Sequence, residues 1–156
     1  MKRLHDFKYA IVAAIAFMTA ITATAAVSGD KKGMETALPA KAKTFITEYL
    51  AGEKVVKSKK DGDKYKIECS SGTKVEFDKN GMWHEIKNGK HGISSSAIKV
   101  LPNAAVLYLQ NNYNEVAVKK IEKEPEGYMV ELDTAPDKCE ILFAKEGNVK
   151  KIMHDN

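Results

Sequence analysis

The sequence lacks the motifs on which most enzymes depend. Ser96 and Lys99 spell S-x-x-K, but the partner motifs S-D-N and K-T-G do not occur. His84 and Glu85 begin H-E-x-x-H, yet Asn88 stands where the second histidine would be needed. There is no phosphate loop and no dinucleotide fingerprint. We therefore expect no catalytic residue, no cofactor and no enzymatic activity.

The clusters of acidic residues do not form a complete calcium-binding motif. An EF-hand loop needs oxygen ligands at positions 1, 3 and 5. Counting from Asp61, position 5 is Tyr65; counting from Asp78, it is Met82. We expect these acidic residues to form turns and predict no metal site.

Long apolar runs are confined to the N-terminus. Basic residues in "MKRLHDFK" precede the apolar "YAIVAAIAFMTAITA", and Ala23-Thr24-Ala25 fits a small-x-small cleavage site. This order predicts a signal peptide over residues 1–25, then a flexible mature N-terminus over 26–37. The alternative is a membrane anchor, but the run is short for a span and no second one follows. We expect a periplasmic or secreted protein with no membrane span after cleavage.

The basic charge is partly a property of this leader. Residues 1–25 hold three basic side chains and one acidic side chain, so cleavage lowers the formal net charge of +4 by two. Nucleic-acid binding needs a concentrated basic face. The densest lysine cluster, "KVVKSKK" at 54–60, has no interleaved aromatic residue and is typical of a solvated strand end. We predict no nucleic-acid partner.

The remaining chain reads as two halves of one compact domain, residues 38–90 and 91–153. The segment "LPAKAKTFITEYLAGEKVVK" at 38–57 matches "LPNAAVLYLQNNYNEVAVKK" at 101–120 with an offset of 63. Past a three-residue insertion the offset is 66, which pairs Phe77 with Phe143 and Gly81 with Gly147. We predict a tandem repeat.

Each half predicts a helix followed by an antiparallel sheet, and hence an α+β fold. Apolar residues recur at helical spacing after each Leu-Pro, and "KYKIEC" and "GYMVEL" alternate as half-buried strands do. Short strands around Val55 and Val118 should follow the helices. "FDKNGMW" and "FAKEGNV" predict hairpins with three-residue loops and a left-handed glycine. These loops would place Phe77 opposite Trp83, and Phe143 opposite Val149, on the core face.

These features resemble a known family of exported proteins. The resemblance covers roughly residues 36–153 and is carried by Leu38-Pro39, Phe45, Tyr49, Tyr65, "VEFDKNGMW" at 75–83, Leu101-Pro102, Tyr108 and Tyr113. The chain looks like the PepSY-like, beta-lactamase-inhibitor-like proteins of Bacteroidetes-type bacteria. The second half departs from the pattern at Asn148-Val149 and "APDKCE". The resemblance implies repeated helix-plus-sheet units. It suggests enzyme inhibition only by analogy of fold, and no inhibitory contact residue carries over.

The candidate partner-binding residues are Met129, Leu142, Ala144 and Trp83. The first three are apolar at positions that should face outward, where the first half carries charges. An apolar patch on a wet sheet face often marks an interaction site, although a loop or the chain terminus could instead cover it. Trp83 could be a binding anchor, but its expected pairing with Phe77 favours a packing role.

These observations favour a binding or inhibitor-like module that recognises a protein or peptide of the cell envelope. Two alternatives stay open at this stage. One is an enzyme with an unrecognised site. The other is a structural or stress-related envelope protein without a discrete ligand.

The two cysteines, Cys69 and Cys139, should both point into the core. They could form a disulfide, as in other exported proteins. Unpaired thiols are favoured because the repeat equivalents, Leu132 and Thr73, are not cysteines.

Overall fold

The computed structural model describes residues 37–155. The predicted signal peptide, and all but the last residue of the predicted flexible N-terminus, lie outside this range. Within it, no helix is long and apolar enough to cross a membrane.

The expected α+β fold is confirmed. The helices and strands occur in the order α1 (Ala40–Tyr49), β1 (Val55–Asp61), β2 (Lys64–Cys69), β3 (Lys74–Phe77), β4 (Trp83–Lys87), α2 (Ser95–Ile98), α3 (Asn103–Tyr113), β5 (Val118–Glu124), β6 (Gly127–Leu132), β7 (Lys138–Ala144) and β8 (Val149–Asp155). A ten- or eleven-residue helix followed by four strands thus occurs twice. The one-turn helix α2, near the start of the second half, was not predicted.

The eight strands form one antiparallel sheet in sequence order. The two halves share this one sheet, because β4 pairs with β5 and places Ile86 opposite Ile121. This pairing removes two inner sheet edges that would otherwise expose unpaired backbone groups. The strands β1 and β5 are also longer than expected, at seven residues each, since each continues into a hairpin with the next strand.

The core lies between the helices and one face of the sheet. Phe45 of α1 packs edge-on against Phe77, with ring centroids 5.4 Å apart. Tyr108 of α3 packs in the same way against Phe143 at 5.8 Å. The inward residues of the inner strands, such as Ile121, are fully buried. Burial of these apolar side chains is the main force that holds the helices on the sheet.

The two predicted three-residue hairpin loops are confirmed. In the first, Gly81 N–H donates to the Asp78 carbonyl, and Asp78 N–H donates to the Met82 carbonyl. The second hairpin repeats this bonding between Ala144, Gly147 and Asn148. Gly81 and Gly147 have φ of +81° and +94°, a region that glycine enters at little cost.

These glycines also let the hairpins contact the helices. A Cβ on Gly81 would lie 2.8 Å from the backbone nitrogen of Ala42, and a Cβ on Gly147 would lie 2.8 Å from that of Ala105. Pro39 and Pro102 each lie immediately before their helix, and they also contact Gly81 and Gly147 respectively. The Leu-Pro and Phe-x-x-x-Gly motifs therefore recur together because each helix start packs on a hairpin turn.

The predicted core position of Val149 is partly wrong. Val149 does lie opposite Phe143, but Val149 is 36% exposed whereas Phe143 is fully buried. The reason is that β8 is at the end of the sheet, so no other strand within residues 37–155 shields Val149 on its outer side. Its counterpart Trp83 lies on an inner strand and is buried.

The cysteines are buried free thiols. Cys69 ends β2 and Cys139 lies near the start of β7, and both side chains belong to the core. Burial, with the nearby Glu53 carboxylate, raises the pKa of Cys69 to about 12. The Cys69 thiol therefore stays protonated and unreactive at neutral pH.

Candidate functional site

The candidate site is the sheet face that none of the helices within residues 37–155 covers. We call this the open face. Its side chains alternate with the core residues along the strands and belong to Lys57, Lys59, Asp61, Lys64, Lys66, Glu68, Lys74, Glu76, Glu85, Lys87, Lys120, Glu122, Glu124, Met129, Glu131, Lys138, Glu140, Leu142, Ala144, Lys151 and Met153. An antiparallel sheet packed on one side leaves such a face to water or to a partner.

Met129 and Leu142 are direct cross-strand partners in β6 and β7, and Gly127 lies opposite Ala144. Met129, Leu142 and Ala144 are all half-buried and lie outside the core cluster. Met153 of β8, opposite Glu140, shares this face. The structure therefore places Met129, Leu142 and Ala144 together on the sheet face that strand alternation predicted for them. Their role in binding stays a prediction.

Ion pairs cover the middle of the open face. The Glu85 carboxylate lies between Lys87 and Lys120, and the Lys120 ammonium also contacts Glu122 at 2.6 Å. Burial alone would raise the pKa of Glu85, but hydrogen bonds and charge from the two lysines outweigh burial and lower it. Glu85 is therefore ionised at neutral pH, and the centre of the face is occupied by paired charges.

Trp83 lies on the opposite face, within an aromatic cluster. Its ring stacks on Tyr128 at 6.1 Å and contacts Phe45 at the same centroid distance. The Lys123 ammonium lies 4.7 Å from the centre of the Trp83 ring. Trp83 is only 9% exposed. It is thus separated from the other three candidate residues by the thickness of the sheet.

A concavity lies beside this cluster, between α1 and the β3–β4 turn. It has a volume of about 320 Å³ and is lined in part by Phe45, Tyr49, Met82 and Trp83. Met82 is 42% exposed at its rim. Met82 was not predicted as a site residue, although an apolar residue in a hairpin loop was the available signal.

The residues of the rejected motifs have structural roles. The Ser94 hydroxyl accepts a hydrogen bond from Ala97 N–H and caps α2, a role that serine commonly has at a helix start. Asp78 accepts hydrogen bonds from the N–H groups of Asn80 and Met82. Asn88 is buried and donates to the Ser71 carbonyl. Among residues 37–155, no group of three or more histidine, cysteine or acidic side chains is arranged to hold a metal ion.

Comparison with known protein families gives one match that spans more than half of the sequence. Residues 63–151 match the family described as "Putative beta-lactamase-inhibitor-like, PepSY-like". The chain belongs to this family. Among curated proteins, none matches the chain.

Solved structures of Bacteroides proteins share the fold of this PepSY-like chain. A "putative calcium-regulated periplasmic protein" of Bacteroides thetaiotaomicron is 30% identical with a TM-score of 0.60, over 78% of this chain and 92% of its own. A putative periplasmic protein of Bacteroides vulgatus is 31% identical with a TM-score of 0.59, over 76% of this chain and 91% of its own. A second B. vulgatus protein, described as periplasmic and of unknown function, is 29% identical with a TM-score of 0.59, over 74% and 91%.

The PepSY-like chain was expected to be periplasmic or secreted, and these descriptions confirm the periplasmic localisation. The family match over residues 63–151 confirms the resemblance found in the sequence.

Proposed function

We propose that this PepSY-like protein is a non-enzymatic periplasmic binding module that presents the open face of its sheet to a protein partner. The observation that supports this most directly is the half-buried apolar group of Met129, Leu142 and Ala144 on a face whose other side chains, apart from Met153, are charged. The first half carries Lys66, Glu76 and Asp78 at the repeat-equivalent positions, so the fold does not require apolar residues there.

A protein interface commonly has an apolar centre within a polar rim. Here Glu131 and Glu140 lie beside the apolar residues on one side, and Lys151 lies opposite Leu142 on the other. This arrangement favours a folded partner or peptide over a small molecule. Small-molecule sites are usually deep concave pockets, whereas the apolar group lies on the face of a sheet.

Two activities suggested by relatives are not part of this proposal. The family description mentions inhibition of beta-lactamase. No residue of this chain has been matched to an inhibitory contact, so this activity is left out. Calcium regulation is named for the B. thetaiotaomicron protein. The described residues of this chain contain no group of side chains arranged for a metal.

The test is affinity capture from a periplasmic extract with the purified mature protein as bait. The double variant M129D/L142D should lose the partners that the unmodified protein retains. Its cooperative melting should persist within a few degrees, because both side chains lie outside the core. The matched control is V130D/I141D, the adjacent core pair in the same two strands, which should unfold the protein. Unchanged capture by M129D/L142D would refute the proposal.

A further inference from the structure

A hollow in the β1–β4 part of the open face is lined mainly by lysines. Its volume is about 300 Å³, and its charged lining consists of Lys57, Lys59, Lys66, Lys74 and Lys87 with the carboxylates of Glu68 and Glu76. Five ammonium groups against two carboxylates leave an excess of positive charge in the lining. We call this feature the lysine hollow.

The strand register sets lysines directly opposite each other twice within the hollow. Lys59 of β1 lies opposite Lys66 of β2, and Lys74 of β3 lies opposite Lys87 of β4. Like charges directly opposite each other in an antiparallel sheet are destabilising. The stability of the sheet therefore does not account for either pair.

The protein neutralises one lysine of each pair. Hydrogen bonds and charge from Glu76 and Asp61, each 3.3 Å away, raise the pKa of Lys66. The Lys87 ammonium contacts the Glu85 carboxylate at 2.5 Å. Both ammonium groups are therefore held in ion pairs of the sheet itself.

The other lysine of each pair keeps most of its charge uncompensated. Lys59 is exposed and forms no ion pair with any residue in the described range. Lys74 is also exposed and contacts only Glu68, at 3.9 Å. Lys57, exposed beside them, likewise has no ion pair within residues 37–155. The excess positive charge of the hollow thus lies on these three lysines.

Opposed like charges elsewhere on the open face have a counter-charge from the chain. Glu85 lies opposite Glu122, and the Lys120 ammonium contacts both carboxylates, at 3.2 Å and 2.6 Å. Neither lysine pair of the hollow has such a shared counter-charge among the described residues. A bound anion at each pair would supply it.

The second half shows that the fold does not need the charge of the hollow. In chain order, the repeat equivalents of the five lysines are Lys120, Glu122, Met129, Glu140 and Met153. Five positive charges thus become one positive and two negative charges. Protection of a sheet edge accounts for lysines on β1. It does not account for Lys74 and Lys87, which lie on the inner strands β3 and β4.

We propose that the lysine hollow binds a disaccharide-sized ligand with a phosphate group at each end, one phosphate at each lysine pair. Lysine binds phosphate as a compact point charge. Two phosphates carry about three to four negative charges at neutral pH, which matches the three uncompensated lysines. This site goes beyond the proposed protein partner and does not depend on it.

The spacing of the two pairs selects the size of the ligand. Neighbouring strands lie about 4.8 Å apart and alternate residues of one strand about 6.7 Å apart, so the midpoints of the two pairs are about 12 Å apart. Two linked sugar rings hold terminal phosphates at a comparable spacing. The volume of the hollow is also at the lower end of the range of small-ligand sites, about 300–1,000 Å³.

The probe is trehalose with a phosphate on each of its two primary hydroxyls, titrated into the mature protein at low ionic strength by isothermal titration calorimetry. Trehalose with one phosphate and unmodified trehalose serve as comparisons. We expect the bisphosphate to bind at least about tenfold more tightly than the monophosphate, because its second phosphate binds intramolecularly. Unmodified trehalose should not bind, and added salt should weaken binding because the contacts are exposed.

Two double variants with the same change of net charge locate the site. K59Q/K74Q removes the uncompensated lysine of each pair and should lower the affinity for the bisphosphate by about tenfold or more. K41Q/K43Q removes two exposed lysines of α1, on the helix side of the molecule. It should leave the affinity within about twofold. All four side chains are exposed, so both variants should melt as the unmodified protein does.

A soluble sugar phosphate and a lipid headgroup share the proposed chemistry. Phosphatidylcholine vesicles that contain diphosphoryl lipid A distinguish them, because this headgroup is a disaccharide with a phosphate at each end. Sedimentation of the protein with these vesicles, lost in K59Q/K74Q, would assign a lipid headgroup. Binding of the trehalose bisphosphate without sedimentation would assign a soluble ligand. Either result supports the hollow as a bisphosphate site.

Three results would overturn the inference. One is that neither the trehalose bisphosphate nor the vesicles bind. Another is equal affinity for the monophosphate and the bisphosphate, since the two lysine pairs would then not act together. The third is equal weakening by K59Q/K74Q and K41Q/K43Q, which would reveal attraction by overall charge alone. Loss of a protein partner in M129D/L142D has no bearing on these measurements, so either proposal can fail alone.

Discussion

Gly81 lies against the first turn of α1 so closely that a Cβ on it would be 2.8 Å from the backbone nitrogen of Ala42. We expect G81A to lower the free energy of unfolding by on the order of 3 kcal/mol, from left-handed strain and from this contact together. Gly52 is the matched control, with φ of +84° and open space around it. G52A should cost only about 1 kcal/mol. Equal losses in urea denaturation would mean that the helix–hairpin contact contributes nothing.

The Lys123 ammonium over the Trp83 ring gives a second prediction. K123M keeps a side chain of similar length without the charge, and should lower the free energy of unfolding by about 0.5–1 kcal/mol. Lys60 is the repeat equivalent and lies 5.6 Å from the Tyr65 ring at an exposed position. K60M should therefore have little effect. Trp83 is the single tryptophan, so its fluorescence follows unfolding in both variants. A larger loss in K60M than in K123M would contradict this interpretation.

The turns were predictable from sequence because glycine at a left-handed position leaves a clear signal. Phe77 opposite Trp83 and the buried Cys69 followed from the same two-residue alternation. The β4–β5 pairing did not follow, since nothing in a strand sequence specifies its neighbour across a long connection that contains a helix. Lys123 was also missed, because a lysine on a core-facing position contacts aromatic rings only when the tertiary packing brings them together.

The candidate site was predictable in one part and missed in another. The outward positions of Met129 and Leu142 followed from strand alternation and comparison of the halves. The concentration of lysines on the β1–β4 part of the open face did not, because each of these lysines taken alone is typical of a solvated strand. Only the register that brings Lys57, Lys74 and Lys87 onto one surface reveals the excess of positive charge.

The thiols should be unreactive in the folded protein. Cys69, with a pKa of about 12, and the fully buried Cys139 should not react with Ellman's reagent at pH 8. After denaturation in urea without reductant, two thiols per chain should react. If no thiol reacted in urea, the cysteines would form a disulfide, contrary to the free thiols of the structure. Rapid reaction before denaturation would contradict their burial.

Glu85 predicts a pH dependence of stability. Its pKa is lowered in the folded state from an ordinary value of 4.5. The ionised form therefore adds stability that is present above pH 4.5 and is lost as the pH falls through the folded pKa. At pH 7, E85Q should lower the free energy of unfolding by about 1 kcal/mol. The difference from the unmodified protein should vanish at strongly acidic pH.

The control for Glu85 is E124Q on the same face, since Glu124 has no ion pair among the described residues. E124Q should change stability little at either pH. A difference between E85Q and the unmodified protein that grows on acidification would show that burial, and not the two lysines, dominates the Glu85 environment.

Site-specific photo-crosslinking in living cells tests the use of the open face most directly. A photoreactive phenylalanine analogue replaces Leu142 on the open face or, in a matched variant, Leu107, which is 48% exposed on α3. We predict that irradiation yields a discrete crosslinked protein adduct from position 142 and none from position 107. Adducts from position 107 alone, or from neither position, would contradict the account.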